Sequence, residues 1–358
     1  MDQEFQKVLQ EHLSRYPLMQ PQDCVKLAYQ SEFGPEHLIA DKDSVLHSLR
    51  EEWDALPIGN TPLPERIGNG LCRFYLTTAY NPVLASPLLA DLFMWTAERQ
   101  NGNQYQFLEK LSMMTRTDVV GMADYIKDYR ARSCPPVRHS AIYRESYRPH
   151  YRLLRNEYSV FFSVLYRIAE LLKSNASAVV AIDGNCGSGK SGLAELIQRE
   201  FHCNVIHMDD YYCPAEERAP DWRSKPGGNM DFARLQKEVL SPIKQGASAL
   251  YRPYSCKAHA FGKPELISGN ALTVVEGSYS QHPLLTHYYD FKIFLTCSAE
   301  EQIRRLKLRE GTAFQAFESC WIPLEDRYHQ ICAPEQKSNV VIDTSNLFIP
   351  YTSTAPGS

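Results

Sequence analysis

The octapeptide Gly184-Asn-Cys-Gly-Ser-Gly-Lys-Ser191 has the spacing GxxxxGK[ST]. These residue types suit phosphate oxygens. Gly184, Gly187 and Gly189 let the chain curl so that backbone N–H groups, those of Asn185, Cys186 and Ser188 included, point inward. Lys190 can reach the β- and γ-phosphates of a nucleotide, and Ser191 can ligate Mg²⁺. The motif needs a strand before it and a helix after it. The apolar run Ala178–Ile182 supplies the strand, and Gly192–Phe201 reads as the helix, whose positive dipole end favours an anion. ATP with Mg²⁺ is therefore the expected ligand. The loop alone does not separate kinase, GTPase, motor and transporter subunit. The sequence holds no Asn-Lys-x-Asp guanine-reading motif, which counts against a GTPase.

Three further groups can act on a bound phosphate. The run His207-Met-Asp-Asp-Tyr-Tyr212 closes a second strand, Asn204–Met208. In a parallel sheet the strand C-termini open onto the ligand crevice. Of Asp209 and Asp210, one can take the proton from an acceptor hydroxyl and the other can help to hold Mg²⁺ through water. An acidic helix cap is the plainer alternative. A third strand, Leu272–Glu276, ends in an acid followed by Gly277, and Glu276 can face the metal-bound phosphates or lie on the surface. Arg305 and Arg309 are four apart, on one face of the helical segment Ala299–Arg309. With Arg304 they can form a lid that neutralises charge on the transferring group, or a solvated helix face.

In order along the chain, Gly184–Ser191, Met208-Asp-Asp-Tyr-Tyr212, Gly227-Gly-Asn-Met-Asp-Phe232, Arg252-Pro-Tyr254, Glu276-Gly277 and Arg304–Arg309 resemble the uridine kinase and phosphoribulokinase family. The resemblance spans about residues 176–345, half of the chain. It implies a doubly wound P-loop kinase that transfers the γ-phosphate of ATP to a hydroxyl of a nucleoside, uridine- or cytidine-like, or of a related metabolite. On that resemblance Asp209 is the catalytic base and a metal-side acid, Asp231 bonds ribose hydroxyls, and Tyr254 lies beside the nucleobase. Tyr212 is a substrate-side aromatic and His259 a base contact, although Lys257-Ala-His-Ala260 departs from the family text. Two other segments depart as well. Pro214–Lys225 is longer and more charged than a minimal member needs, and Trp321-Ile-Pro-Leu-Glu-Asp-Arg327 has no counterpart. Both leave the acceptor open.

The elements that must position these groups divide the chain. A length of 358 residues suits two domains. Residues 1–173 carry apolar residues at helical spacing, such as Val45, Leu49, Trp53, then Leu88, Leu92, Trp95, then Phe161, Leu165, Ile168, and read as a mostly α-helical domain. Leu56–Ile67, rich in Pro and Gly, reads as a loop, and Lys173–Ser177 as a polar joint. Residues 176–347 alternate short β-rich runs, with Phe291–Leu295 and Val340–Ile342 as the last two, and helical ones such as Asp231–Gln245. That alternation implies an α/β fold built on a parallel sheet. The small polar tail 348–358 is expected to be disordered.

Composition bounds the partners. Lys plus Arg total 38 against 42 for Asp plus Glu, which gives no general field for nucleic acid or anionic membrane. The ten cysteines include no CxxC pair, so free thiols rather than a zinc site are expected. The N-terminus has no apolar signal core, and Pro82–Trp95 is short and interrupted by Asp91. A cytoplasmic protein acting on a small molecule follows, with its oligomeric state open. In the first half, Lys127–Arg155 holds eight basic residues and two acids, with Tyr143, Tyr147, Tyr151 and Arg144, Arg148, Arg152 each repeating every four residues. On one helix these would be adjacent aromatic and cationic stripes suited to a nucleotide, a phosphorylated ligand or single-stranded RNA, although Pro149 would interrupt them; inward-packed Tyr, with Arg solvated or paired with the second domain, is the favoured reading. Glu32, Glu36 and His37 suggest a metal only weakly against a helix cap and turn. A nucleotide sensor controlling an RNA- or protein-binding helical half is the alternative to a kinase, and a bifunctional enzyme is a lesser one.

Overall fold

The computed structural model describes residues 3–35, 41–56, 62–175, 177–269 and 271–347. Contacts divide the chain into two units, Met1–Phe162 and Ser163–Ser358. The division falls inside a helix, ahead of the Lys173–Ser177 joint. Glu36, His37 and the tail 348–358 lie outside the described residues.

The first unit runs α1 (Gln3–Arg15), α2 (Pro21–Phe33), α3 (Lys42–Asp54), β1 (Glu65–Gly68), β2 (Leu71–Tyr75), α4 (Pro82–Arg99), α5 (Gln104–Met114), α6 (Met122–Ala131), α7 (Ala141–Tyr147) and β3 (Tyr151–Arg155), then enters α8 (Asn156–Leu172). Local chemistry sets several starts. Pro82 opens α4 with fixed φ, and the Asn81 side chain accepts from the Val83 N–H at 2.9 Å. The Asp41 carboxylate caps α3 through the Ser44 N–H at 2.8 Å.

The helical expectation holds with one addition, a three-stranded antiparallel sheet in the order β1-β2-β3. Its hairpin turns on Asn69-Gly70, both with positive φ, the signature of a two-residue turn. The expected loop Leu56–Ile67 thus contains the start of a strand. The aromatic and cationic stripes that a single helix would make do not form. Helix α7 stops at Tyr147, Arg148 adopts φ 42°, and Pro149 separates it from β3, which carries Tyr151 and Arg152. Tyr143 is buried, and Arg152 pairs with Glu52 at 2.6 Å. Glu32 is engaged by Lys110 at 2.8 Å, both side chains buried.

A polar cluster lies within this unit. Arg73, fully buried, donates to Tyr143 Oη at 3.2 Å and Gln30 Oε1 at 3.1 Å, beside Glu65 at 3.8 Å. His139 bonds Asp23 at 3.0 Å and Tyr151 Oη at 2.7 Å. Burial, opposed by that bond to Asp23, holds His139 down at about 4; burial and the charge of Arg73 bring His12 to about 4.

The second unit is the expected α/β fold. It runs β4 (Val179–Gly184), α9 (Lys190–Phe201), β5 (Asn204–His207), α10 (Phe232–Leu235), α11 (Ser241–Lys244), β6 (Ala249–Tyr251), β7 (Tyr254–Ser255), β8 (Ala260–Phe261), β9 (Glu265–Ile267), β10 (Thr273–Glu276), β11 (Phe291–Thr296), α12 (Ala299–Glu310), α13 (Phe314–Ala316), α14 (Ile322–Cys332), α15 (Pro334–Lys337) and β12 (Val340–Asp343). A π-turn, Gln236–Leu240, joins α10 to α11. Five strands form one parallel sheet in the order β12-β11-β4-β10-β5. Every residue of β4 is buried, which is why its sequence is continuously apolar up to Asp183. From β4 the chain passes over to β5, returns to β10, then crosses to β11. That reversal makes the C-terminal end of β4 and β10 the switch point where α/β sheets take ligands.

Candidate functional site

The phosphate loop occupies that switch point. Gly184 ends β4 at φ 140°, and a Cβ there would lie 1.9 Å from the Leu295 carbonyl oxygen, so the neighbouring strand admits only glycine. Gly189 takes φ 98° at the start of α9, a left-handed turn that swings the chain into the helix. Lys190 is folded along the loop, its Nζ donating to Gly184 O at 2.8 Å, Asn185 O at 3.0 Å and Ser278 Oγ at 3.4 Å.

Strand register brings the acids in. Glu276 lies opposite Ile182 on one side and His207 on the other, which places its carboxylate between β4 and β5. Ser191 Oγ donates to Glu276 at 3.3 Å, and His207 Nδ1 lies 2.6 Å from Glu276 Oε1. That bond raises the His207 pKa above its ordinary value. Asp209 and Asp210 follow in a single 3-10 turn, Met208–Tyr211. Asp209 is exposed to solvent; desolvation and then the charge of Glu276 raise its pKa, while Lys190 opposes. Burial pushes Asp210 up to about 6, and Tyr251 Oη donates to its carboxylate at 3.2 Å. Asp209 is the acid that shares the field of Lys190 and Glu276. Asp210 turns towards β6.

The substrate-side residues divide. Asp231 N–H donates to Tyr211 O at 2.7 Å, so Asp231 stands beside the Asp209 turn, and a β-bridge joins Tyr212 to Met230. The Asp231 carboxylate caps α10 through the Arg234 N–H at 3.0 Å and lies 3.6 Å from Arg234 Nε. Tyr254 is buried against Phe261, with ring centroids 5.3 Å apart. His259 is not gathered in. It is exposed at φ 49° in the β7–β8 turn, and among the described residues it has no bond to Asp209, Asp231 or Tyr212.

The arginine lid is corrected. Arg305 is fully buried and faces the underside of the loop. Its Nη1 donates to Gly187 O at 3.1 Å and Thr344 Oγ1 at 3.0 Å, and its Nε to Glu301 at 2.7 Å. Thr344 Oγ1 in turn donates to Ser188 O at 2.8 Å. Arg305 therefore braces the phosphate loop from behind. Arg309 is spent on Glu310 and on the Phe317 ring, 5.6 Å away. Arg304 chelates Glu301, which the two arginines hold at about 2.

Two residues of the site were not expected, and both involve α14. Glu325, buried, accepts from the Cys186 N–H at 2.8 Å and from Ser278 Oγ at 2.5 Å. Asp183, at the end of β4, accepts from Tyr328 Oη at 2.7 Å and from the Gln281 N–H at 2.8 Å; burial raises its pKa. The sequence signal was the Glu-x-x-Tyr spacing in Glu325–Tyr328, which puts both on one helical face.

The residues present fit Mg²⁺ and a triphosphate. The loop holds a lysine and glycines in the required conformation, and Ser188 Oγ, buried in its wall, has no hydrogen-bond partner among the described residues. Ser191 with Glu276 offers the oxygen pair that a hard cation takes.

No family model matches the chain, and no curated protein matches it. Among solved structures, it is similar to a protein from Bacillus stearothermophilus described as a possible uridine kinase, with 19% identity, 51% of this chain and 100% of that one covered, and a TM-score of 0.39. It is also similar to a protein from Silicibacter sp. TM1040 described as a fructose transport system kinase, with 17% identity, 46% and 88% covered, and a TM-score of 0.34. Among the described residues no helix is long and apolar enough to cross a membrane.

Proposed function

We propose that the second unit is a phosphotransferase that moves the γ-phosphoryl group of ATP to a hydroxyl of a small molecule. The observation that carries this reading is the convergence of Lys190, Ser191, Glu276 and Asp209 on the ends of three adjacent strands. Sensors and motors need the loop and a metal-side acid. A carboxylate with a raised pKa, solvent-open beside Lys190, is what a hydroxyl acceptor adds.

In this reading the loop amides and Lys190 hold the β- and γ-phosphates, and Ser191 and Glu276 hold Mg²⁺. The metal, when bound, neutralises charge on the phosphate oxygens. His207 orients Glu276 through the 2.6 Å contact. Asp209 takes the proton of the acceptor hydroxyl as its oxygen attacks, and Arg305 keeps the loop rigid. Asp231, Tyr212 and Tyr254 flank the acceptor, which the resemblance makes nucleoside-like.

Asp209→Asn keeps the shape and removes the base. The variant should bind Mg-ATP as the parent does, while transfer falls by about 10²–10⁴. Titration calorimetry and product mass spectrometry read the two effects separately. Parental turnover by the variant would remove Asp209 from this role.

A further inference from the structure

The two segments that depart from the family text, Pro214–Lys225 and Trp321–Arg327, meet in the structure. Arg327 Nη1 approaches the Arg223 carbonyl at 3.5 Å. Between them opens a cleft of about 390 Å³ lined by Arg223, Ser319, Cys320, Pro323, Leu324 and Arg327. That volume suits a small metabolite. Pro323 and Leu324 supply an apolar wall, and the two arginines the charge.

Neither guanidinium has a carboxylate partner among the described residues. The neighbouring Asp221 is taken by Lys225 at 2.9 Å. Arg223 lies over the Trp222 ring at 4.6 Å, a contact that uses its face and leaves its N–H edge available. Two cations on one cleft repel each other, and an oxyanion between them reverses that cost. Planar N–H forks also match phosphate and carboxylate oxygens in pairs.

Trp321, beside Cys320 in the chain, lies 6.0 Å from the Tyr212 ring, and Tyr212 directly follows the turn that carries Asp209. We infer that this cleft is the acceptor's anchoring subsite and that the acceptor is a hydroxyl compound carrying an oxyanion, a phosphate ester or a carboxylate, gripped by Arg223 and Arg327. The inference rests on the phosphotransferase reading and narrows its substrate.

The test uses the full chain with Mg-ATP and matched pairs of hydroxyl compounds, each with and without the anionic group: ribose and ribose 5-phosphate, glycerol and glycerol 3-phosphate, glycerol and glycerate, a nucleoside and its monophosphate. Mass spectrometry reads added phosphate. Products confined to anionic members are expected, and the phosphate and carboxylate arms tell the two groups apart. The double variant Arg223→Ala/Arg327→Ala should raise KM for that acceptor by about a hundredfold, tenfold per lost charged bond, and leave the ATP affinity unchanged. Arg327→Lys alone should recover part of the loss. Phosphorylation of neutral members with KM unaltered in the double variant overturns the inference and leaves the phosphotransferase reading standing. ATP binding with no product from any compound overturns both. As a check independent of turnover, inorganic phosphate titrated into ADP-saturated protein should change the Trp fluorescence, and equal affinity in the double variant would count against the subsite.

Discussion

Replacing Glu325 by Gln should tighten ATP binding. The Glu325 carboxylate accepts from the Cys186 N–H at 2.8 Å and from Ser278 Oγ at 2.5 Å, and Lys190 Nζ reaches that same Ser278 oxygen at 3.4 Å. A carboxylate thus already engages the amide loop and, through one hydroxyl, its lysine. A phosphate brought to the loop meets this charge. If the carboxylate stays, two unit charges about 5 Å apart at an effective permittivity near 20 repel by about 3 kcal/mol. If it leaves, it forfeits two charge-assisted hydrogen bonds of about 1.5–3 kcal/mol each. Glutamine keeps the shape and an acceptor oxygen but not the charge. Recovery of only half of the smaller cost is about 1.5 kcal/mol, roughly a tenfold gain in affinity. Calorimetric titration of ATP and ADP into parent and variant measures it, with melting curves to show that both are folded. A folded variant that binds ATP equally or less tightly would show that the carboxylate supports the loop rather than competing with phosphate.

Arg305→Met takes the buried donor from the Gly187 and Thr344 carbonyls and one of Glu301's two arginines, so stability should fall by about 3–5 kcal/mol and ATP binding with it, whereas Arg309→Ala should leave the melting temperature unchanged and turnover within about twofold of the parent. Thermal melts with a turnover assay separate this brace from a lid, and the opposite ranking would restore the lid. The first unit should lose stability in mild acid. His12 and His139, held at about 4 against an ordinary 6.5, take up protons on unfolding, so their contribution is complete above pH 6.5, declines as the pH falls to about 4 and is constant below. Each histidine changes stability by at most about 1.4 kcal/mol per pH unit in that window. Denaturant melts at pH 7 and pH 5 measure the slope, and identical midpoints would contradict the burial argument.

The second unit was legible because each local signal agreed with its neighbours. The strand before Gly184, the helix after Lys190 and the acids at the ends of β5 and β10 are set by short-range patterns, and the sheet gathers them. Arg305 was misread because helical spacing says which residues share a face but not which way the face turns; Glu301, Thr344 and the underside of the loop decided that. Glu325 was missed because its partners, Cys186 and Ser278, are remote in sequence. In the first unit, the repeating tyrosines and arginines of Lys127–Arg155 imitate a helix, while Pro149 and the pairing of β3 with β2 override the period. The Asn69-Gly70 hairpin carries its own turn signal just beyond Leu56–Ile67, the stretch that reads as a loop.

The central claim is that Asp209, Glu276 and the Gly184–Ser191 loop form one phosphoryl-transfer site. Incubation with Mg-ATP and a panel of hydroxyl compounds, followed by mass spectrometry of the acceptors, tests it most directly. The expected result is the gain of one phosphate on one compound, matched by ADP formed, and lost in Asp209→Asn. Tight ATP binding with no phosphorylated product, together with a protein or RNA partner whose affinity changes with nucleotide, would contradict it and favour a nucleotide sensor.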